Sequence, residues 1–439
     1  MNGRRTGWGL TGLALLLCAA VAWDNFADGV DVAGPLPSAT TTSTTPPSAE
    51  TLAQGHYLVQ AGNCIACHTA RGGASMAGGR SIETPFGSVY SSNLTPDPET
   101  GIGQWNAAHF WRALHHGRSR DGHLLTPAFP YNHTTLISRP DADAMFAWLQ
   151  SLPPVASKQP AHTLQWPLGT QPALAVWRSL YFKAGSYQER ASQTAEWNRG
   201  AYLVQGLGHC AACHSARNAL GASGAVDDLS GGLMPVVNWT APSLLDNAQT
   251  GLAQASLAEI QTLLKTGQSG PHHTSGPMAE VVQYSTQYLS EPDLRAMAVY
   301  LKSRVHPDTL AASPPAASMA AQRAIRTETA TRGAAIYDKQ CAQCHGDQGQ
   351  GVVGAYPALT GHRGVLQSDT TNLVQTVLYG GYPPATAGNP RPYGMPPFIL
   401  TLDDKDIAAV LTHLRSQWGN HAREVTPLEV NRIRASQGS

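Results

Sequence analysis

The 439-residue chain is short of charge: only 13% of its residues are Asp, Glu, Lys or Arg, and 29 basic side chains balance 29 acidic ones. A balanced chain has no basic field to draw in nucleic acid, so partners must be met through local patches. Strand-like alternation is sparse, which predicts a mainly α fold. Beyond the N-terminus, no apolar run reaches the roughly 20 residues that cross a bilayer. No phosphate-cradling glycine loop, Ser-His-Asp set or carboxylate pair stands out, so nucleotide-dependent and hydrolytic chemistry lacks its usual residues.

Cysteine is scarce as well, and its placement is informative. Six of the seven cysteines form three pairs, Cys64/Cys67, Cys210/Cys213 and Cys341/Cys344. The seventh, Cys18, lies in "MNGRRTGWGLTGLALLLCAAVAWDN". Arg4 and Arg5, an apolar run from Leu10 and the small residues Ala20-Val21-Ala22 have the layout of a secretory signal peptide over 1–22, cleaved after Ala22. An uncleaved anchor is the alternative, although the apolar core is short for a span.

Each pair is followed at once by histidine, in "CIACH" (64–68), "CAACH" (210–214) and "CAQCH" (341–345). Two thiols so spaced can add to the vinyl groups of haem, and the adjacent imidazole can reach the iron. A thioredoxin-like redox pair or half of a zinc site would need only the cysteines. Three copies with His and without a second cysteine pair favour haem, and export agrees, since c-type haem is attached outside the cytoplasm. The expectation is three covalently bound haem c groups, with His68, His214 and His345 as proximal ligands.

The motifs divide the chain into three domain-sized repeats. Similar phrases precede them, "GHYLVQAGNC", "GAYLVQGLGHC" and "GAAIYDKQC", and residues such as Tyr57, Leu58 and Ala61 recur at helical spacing. Each repeat closes on an apolar 3.6-period segment behind a Ser or Asp cap: "SRPDADAMFAWLQSL", "LSEPDLRAMAVYLKS" and "LTLDDKDIAAVLTHLRSQW". The predicted layout is a signal (1–22), a Pro/Ser/Thr-rich flexible linker (23–50), a cytochrome c domain (51–155), a connector (156–195), a second domain (196–304), a linker (305–325), a third domain (326–420) and a C-terminal tail (421–439).

A second axial ligand belongs in the loop before each closing helix, where Met raises the haem potential. Met278 in "SGPMAEVV" and Met395 in "YGMPPF" sit in such Gly/Pro loops. Met297 and Met145 read as core residues of closing helices, and Met234 and Met319 as residues of linker-like surroundings. The first repeat has "LLTPAFPYNHTT" instead, with Phe129 at the ligand position. His133, ahead of His123, is the replacement candidate.

With these residues in view, the chain resembles the triple-haem cytochrome c subunits of membrane-bound bacterial dehydrogenases. The most specific stretches are "TPFGSVYSSNLTPDPETGIGQW", "PAFPY", "WNRGAYLVQGLGHCAACHSARNALG" and "GPMAEVV". Such subunits serve quinoprotein alcohol, flavin gluconate or fructose, and molybdenum aldehyde dehydrogenases. Pro127-Ala128-Phe129-Pro130-Tyr131 looks more like the molybdenum type, since the alcohol and gluconate types usually carry Met at the central position. The resemblance implies an electron relay in the periplasm, on the outer face of the cytoplasmic membrane. It would run from a catalytic dehydrogenase subunit to ubiquinone or an oxidase. Catalysis by this chain itself stays open, because a haem enzyme with an open first iron is the rival reading; a soluble shuttle is a third.

Overall fold

A computed structural model describes Leu16 and residues 19–25, 46–270, 272–305 and 327–436. Most of the expected signal and of the two linkers, with Cys18 and Met319, lies outside the described residues. Among those described, the chain is mainly helical, and its strands are confined to three two-stranded antiparallel hairpins. No described helix is long and apolar enough to cross a membrane.

The chain divides into two compact units, one of residues 1–59 and 67–188, the other of residues 60–66 and 189–439. Within them the same arrangement occurs three times. An opening helix (Ala49–Ala61, Ala195–Tyr202 or Thr327–Gln340) leads into each cysteine pair, and a closing helix (Arg139–Gln150, Glu291–Ser303 or Asp404–Ser416) crosses it. A glycine marks each crossing. A Cβ added at Gly55, Gly200 or Gly333 would lie 2.0, 2.0 or 2.4 Å from the carbonyl oxygen of Ala144, Ala296 or Ala409. Only a residue without a side chain lets the two backbones come so close.

The predicted caps are in place. Ser138 and Ser290 each accept from the backbone N–H three residues on, and Asp403 forms a full capping box with Asp406. In the second unit, charge also ties opening to closing helix. Arg199 grips Asp293 with two 2.8 Å bonds, and Arg332 meets Asp406 at 2.7 Å. Gln54 holds the corresponding position in the first repeat.

Two segments carry more structure than their composition suggested. The connector contains the helix Gln171–Tyr181, with Leu174 and Ala175 buried. The C-terminal segment forms the helix Pro427–Ala435, which buries Val430 and Ile433 in the core around Ile407 and Leu411. Its two apolar positions three apart were too few to read as periodicity.

Candidate haem centres

Each Cys-x-x-Cys-His motif winds into a single helical turn, at Cys64–Cys67, Ala211–His214 and Ala342–His345. Residues i, i+3 and i+4 then share one face, so both thiols and the imidazole point to the same side. The amides of His214 and His345 close the turn on the carbonyls of Cys210 and Cys341, each at 2.9 Å.

Beyond the turn, a backbone carbonyl meets each histidine. His68 Nδ1 lies 2.7 Å from the carbonyl oxygen of Ser92, His214 Nδ1 2.8 Å from that of Pro242, and His345 Nδ1 2.9 Å from that of Pro357. Each carbonyl fixes the tautomer with its proton on Nδ1 and leaves Nε2 with its lone pair free. Burial holds all three imidazoles below their ordinary pKa, against the opposing pull of the carbonyl. All three are neutral, oriented imidazoles.

One backbone clamp holds each carbonyl. The amides of Gly78, Gly231 and Gly351 donate to the carbonyls of His68, His214 and His345 at 2.8, 2.7 and 2.8 Å. Two residues beyond each acceptor a leucine, Leu94, Leu244 or Leu359, donates its amide to the carbonyl of Met76, Leu229 or Gly349, two residues before the glycine. All three glycines have positive φ, of +71°, +83° and +65°. A Cβ there would come within 2.5–2.6 Å of the backbone beside the acceptor carbonyl, at Ser92, Ser243 or Ala358.

Two of the sulfurs, those of Cys210 and Cys341, have the opposite character to reactive thiols. Burial, reinforced by the paired cysteine, pushes Cys210 up to about 12 and Cys341 up to about 11. A redox or zinc cysteine needs an easily formed thiolate. No cluster of three or more His, Cys, Asp or Glu suited to a metal ion occurs among the described residues.

The expected distal residues differ by site. Met278 is half-buried in the first turn of the helix Pro277–Tyr284. The Trp239 ring presses on Gly276, two residues earlier. Met395, also half-buried, pairs with Gly381 through backbone bonds of 2.8 and 3.0 Å, and the Tyr382 ring packs on Gly394. In the first repeat Phe129 is half-buried, whereas His133, in the short helix Tyr131–Thr134, is 2% exposed. His123 is exposed, and its Nδ1 pairs with Asp121 at 2.5 Å. Met145 and Met297 are buried in their closing helices, as expected of core methionines. Met234 belongs to the strand Gly232–Met234 rather than to a linker.

The residues therefore fit covalently held haem, with paired thiols beside an imidazole whose Nε2 is unclaimed. The cytochrome c family profile matches residues 330–418. Over 407 residues the chain is 38% identical to the cytochrome c subunit of the quinone alcohol dehydrogenase of Gluconacetobacter polyoxogenes, covering 89% of this chain and 86% of that one. The gluconate 2-dehydrogenase cytochrome c subunit of Pantoea cypripedii is 35% identical, over 88% of this chain and 89% of its own length. The chain belongs to the dehydrogenase cytochrome c subunits. A nicotinate dehydrogenase subunit of Pseudomonas putida is also similar, 38% identical over 89% of this chain, which spans 32% of that longer protein. Haem c is thus the cofactor class of this cytochrome c subunit.

Sequence reasoning missed the clamp. The glycines stand ten, seventeen and six residues beyond their histidines, so no fixed spacing marks them. The one recurrent signal was a leucine two residues after the acceptor, in "SNL", "PSL" and "PAL".

Proposed function

We propose that the chain carries three haem c groups, one in each of three consecutive cytochrome c domains. It relays electrons from a catalytic dehydrogenase subunit to ubiquinone or an oxidase at the outer face of the cytoplasmic membrane. The observation that carries this reading is the threefold recurrence of the histidine, glycine and carbonyl clamp. Bound haem would supply a reversible one-electron carrier at each site. The chain's own task is to hold and tune it. Cys64/Cys67, Cys210/Cys213 and Cys341/Cys344 provide thioether sulfur, and His68, His214 and His345 present Nε2. Met278, in the first turn of its helix, and Met395, on a braced loop, offer thioether ligands. His133 offers a buried imidazole at the place where the first repeat has Phe129 instead of Met.

For the partner, the Phe129 form of the "PAFPY" stretch supports a molybdenum aldehyde dehydrogenase. The relatives named for alcohol and gluconate dehydrogenases favour a second reading, a quinoprotein or flavin partner. Co-purification from the native membrane, followed by haem reduction with aldehyde, alcohol or gluconate as substrate, separates the two. Intact mass after acid extraction should show three added haems, with one fewer in Cys213→Ala. Fewer than three in the native chain, or substrate turnover by the isolated chain, would overturn the relay.

A further inference from the structure

Two imidazoles outside the ligand set meet inside the second unit. The rings of His273 and His362 stack with centroids 5.3 Å apart and planes 27° apart. Both Nδ1 atoms are sealed from solvent and have no hydrogen-bond partner. A buried ring nitrogen left so is costly, and native structures seldom leave one. His272 and Arg363 adjoin the pair in sequence, and their charges also meet in space. Glu259 acts on His272 too, but its carboxylate is engaged by the Ser256 cap. In the tautomer that carries its proton on Nδ1, each ring holds a buried N–H that lacks an acceptor.

Its position says which acceptor. His362 lies five residues beyond Pro357, the carbonyl that holds His345, and is close enough for the two imidazoles to feel each other's charge. His273 lies five residues before Met278. The stack therefore joins the loop that holds His345 to the strand just ahead of the Met278 helix. Haem carries carboxylate arms, and a ring N–H donating to a carboxylate makes a strong, charge-assisted bond.

We propose that His273 and His362, with Arg363 beside them, form a carboxylate-binding site shared by the second and third haems. This rests on the three-haem reading. Each ring donates to a haem carboxylate and offsets its charge near the iron. Losing the donor leaves that charge to stabilise the oxidised, more positive iron, so the midpoint potential falls.

The test is a spectroelectrochemical titration of the purified full-length chain, with the second and third midpoints assigned through Met278→His and Met395→His. His362→Leu should lower the second and third midpoints and leave the first unchanged. His362→Asn, which keeps an N–H donor, should restore much of the shift, and His273→Leu should reproduce it if His362→Leu loads haem poorly. Full haem content with all midpoints unmoved in both leucine variants overturns the proposal, as water would then be what satisfies the rings. A shift seen only when the dehydrogenase is present overturns it too, because the carboxylate would belong to the partner. Fewer than three haems in the unaltered chain would instead count against the three-haem reading.

Discussion

At the scale of single residues, the three Cys-x-x-Cys-His turns and their histidine clamps are alike, and the residues expected opposite them differ. Gly351→Ala tests the shared half. Its Cβ would crowd the backbone at Ala358 and Pro357, in a left-handed conformation that costs a side chain about 1–2 kcal/mol. The Pro357 carbonyl should move off His345, weaken imidazole donation and raise the third midpoint potential, while lowering thermal stability. Met278→His and Met395→His test the other half. Each should lower one potential, because imidazole favours oxidised iron more than thioether does, and unchanged spectra would return both methionines to the core. At the first site, His133→Ala should produce a high-spin haem that binds carbon monoxide. A first haem already high-spin in the unaltered chain would remove His133 and revive the enzyme reading. The cysteines and histidines were legible because haem attachment fixes their spacing. His133 was legible only as a polar residue in a proline-bearing loop, and its burial could not be read from neighbours in sequence.

At the scale of elements, opening and closing helices were visible from caps and periodicity, but what locks them was not. Gly55, Gly200 and Gly333 are unremarked small residues in sequence, and their purpose exists only where two helices cross. The C-terminal helix Pro427–Ala435 depends on a different device. Burial opposes ionisation of Glu429, yet bonds from Arg423 and Thr426 outweigh it and hold the carboxyl down at about 2. A depressed carboxylate stabilises the fold above its unfolded pKa, near 4.3, and that contribution is lost as pH falls from there through about 2. Glu429→Gln should therefore weaken the helix at neutral pH and flatten the acid dependence of stability between roughly pH 4.5 and 2. Unfolding midpoints measured across that window check it, and a variant with unchanged acid dependence would sink the assignment.

At the scale of the whole molecule, the repeat was plain in the sequence and its clamp was not, because the clamp is made by backbone groups that loops of unequal length bring together. The lengths differ elsewhere too. From the crossing glycine to the first cysteine there are nine residues in the first repeat, ten in the second and eight in the third. The second repeat takes up its surplus as a π-helical turn at Leu203–Leu207. An α-helix turns about 100° per residue, so a change of one residue ordinarily swings everything beyond it around the axis. The π turn is a slack coil that swallows such a change before it reaches Cys210. Deleting Gly206 should relax that coil to plain α-helix and leave the second haem attached. Deleting Ile336 from the taut helix Thr327–Gln340 should wind Cys341 and Cys344 out of phase with His413 and Ala409 and cost the third. Haem counts by mass spectrometry decide it: the chain would forgive a missing residue ahead of its second haem and not ahead of its third.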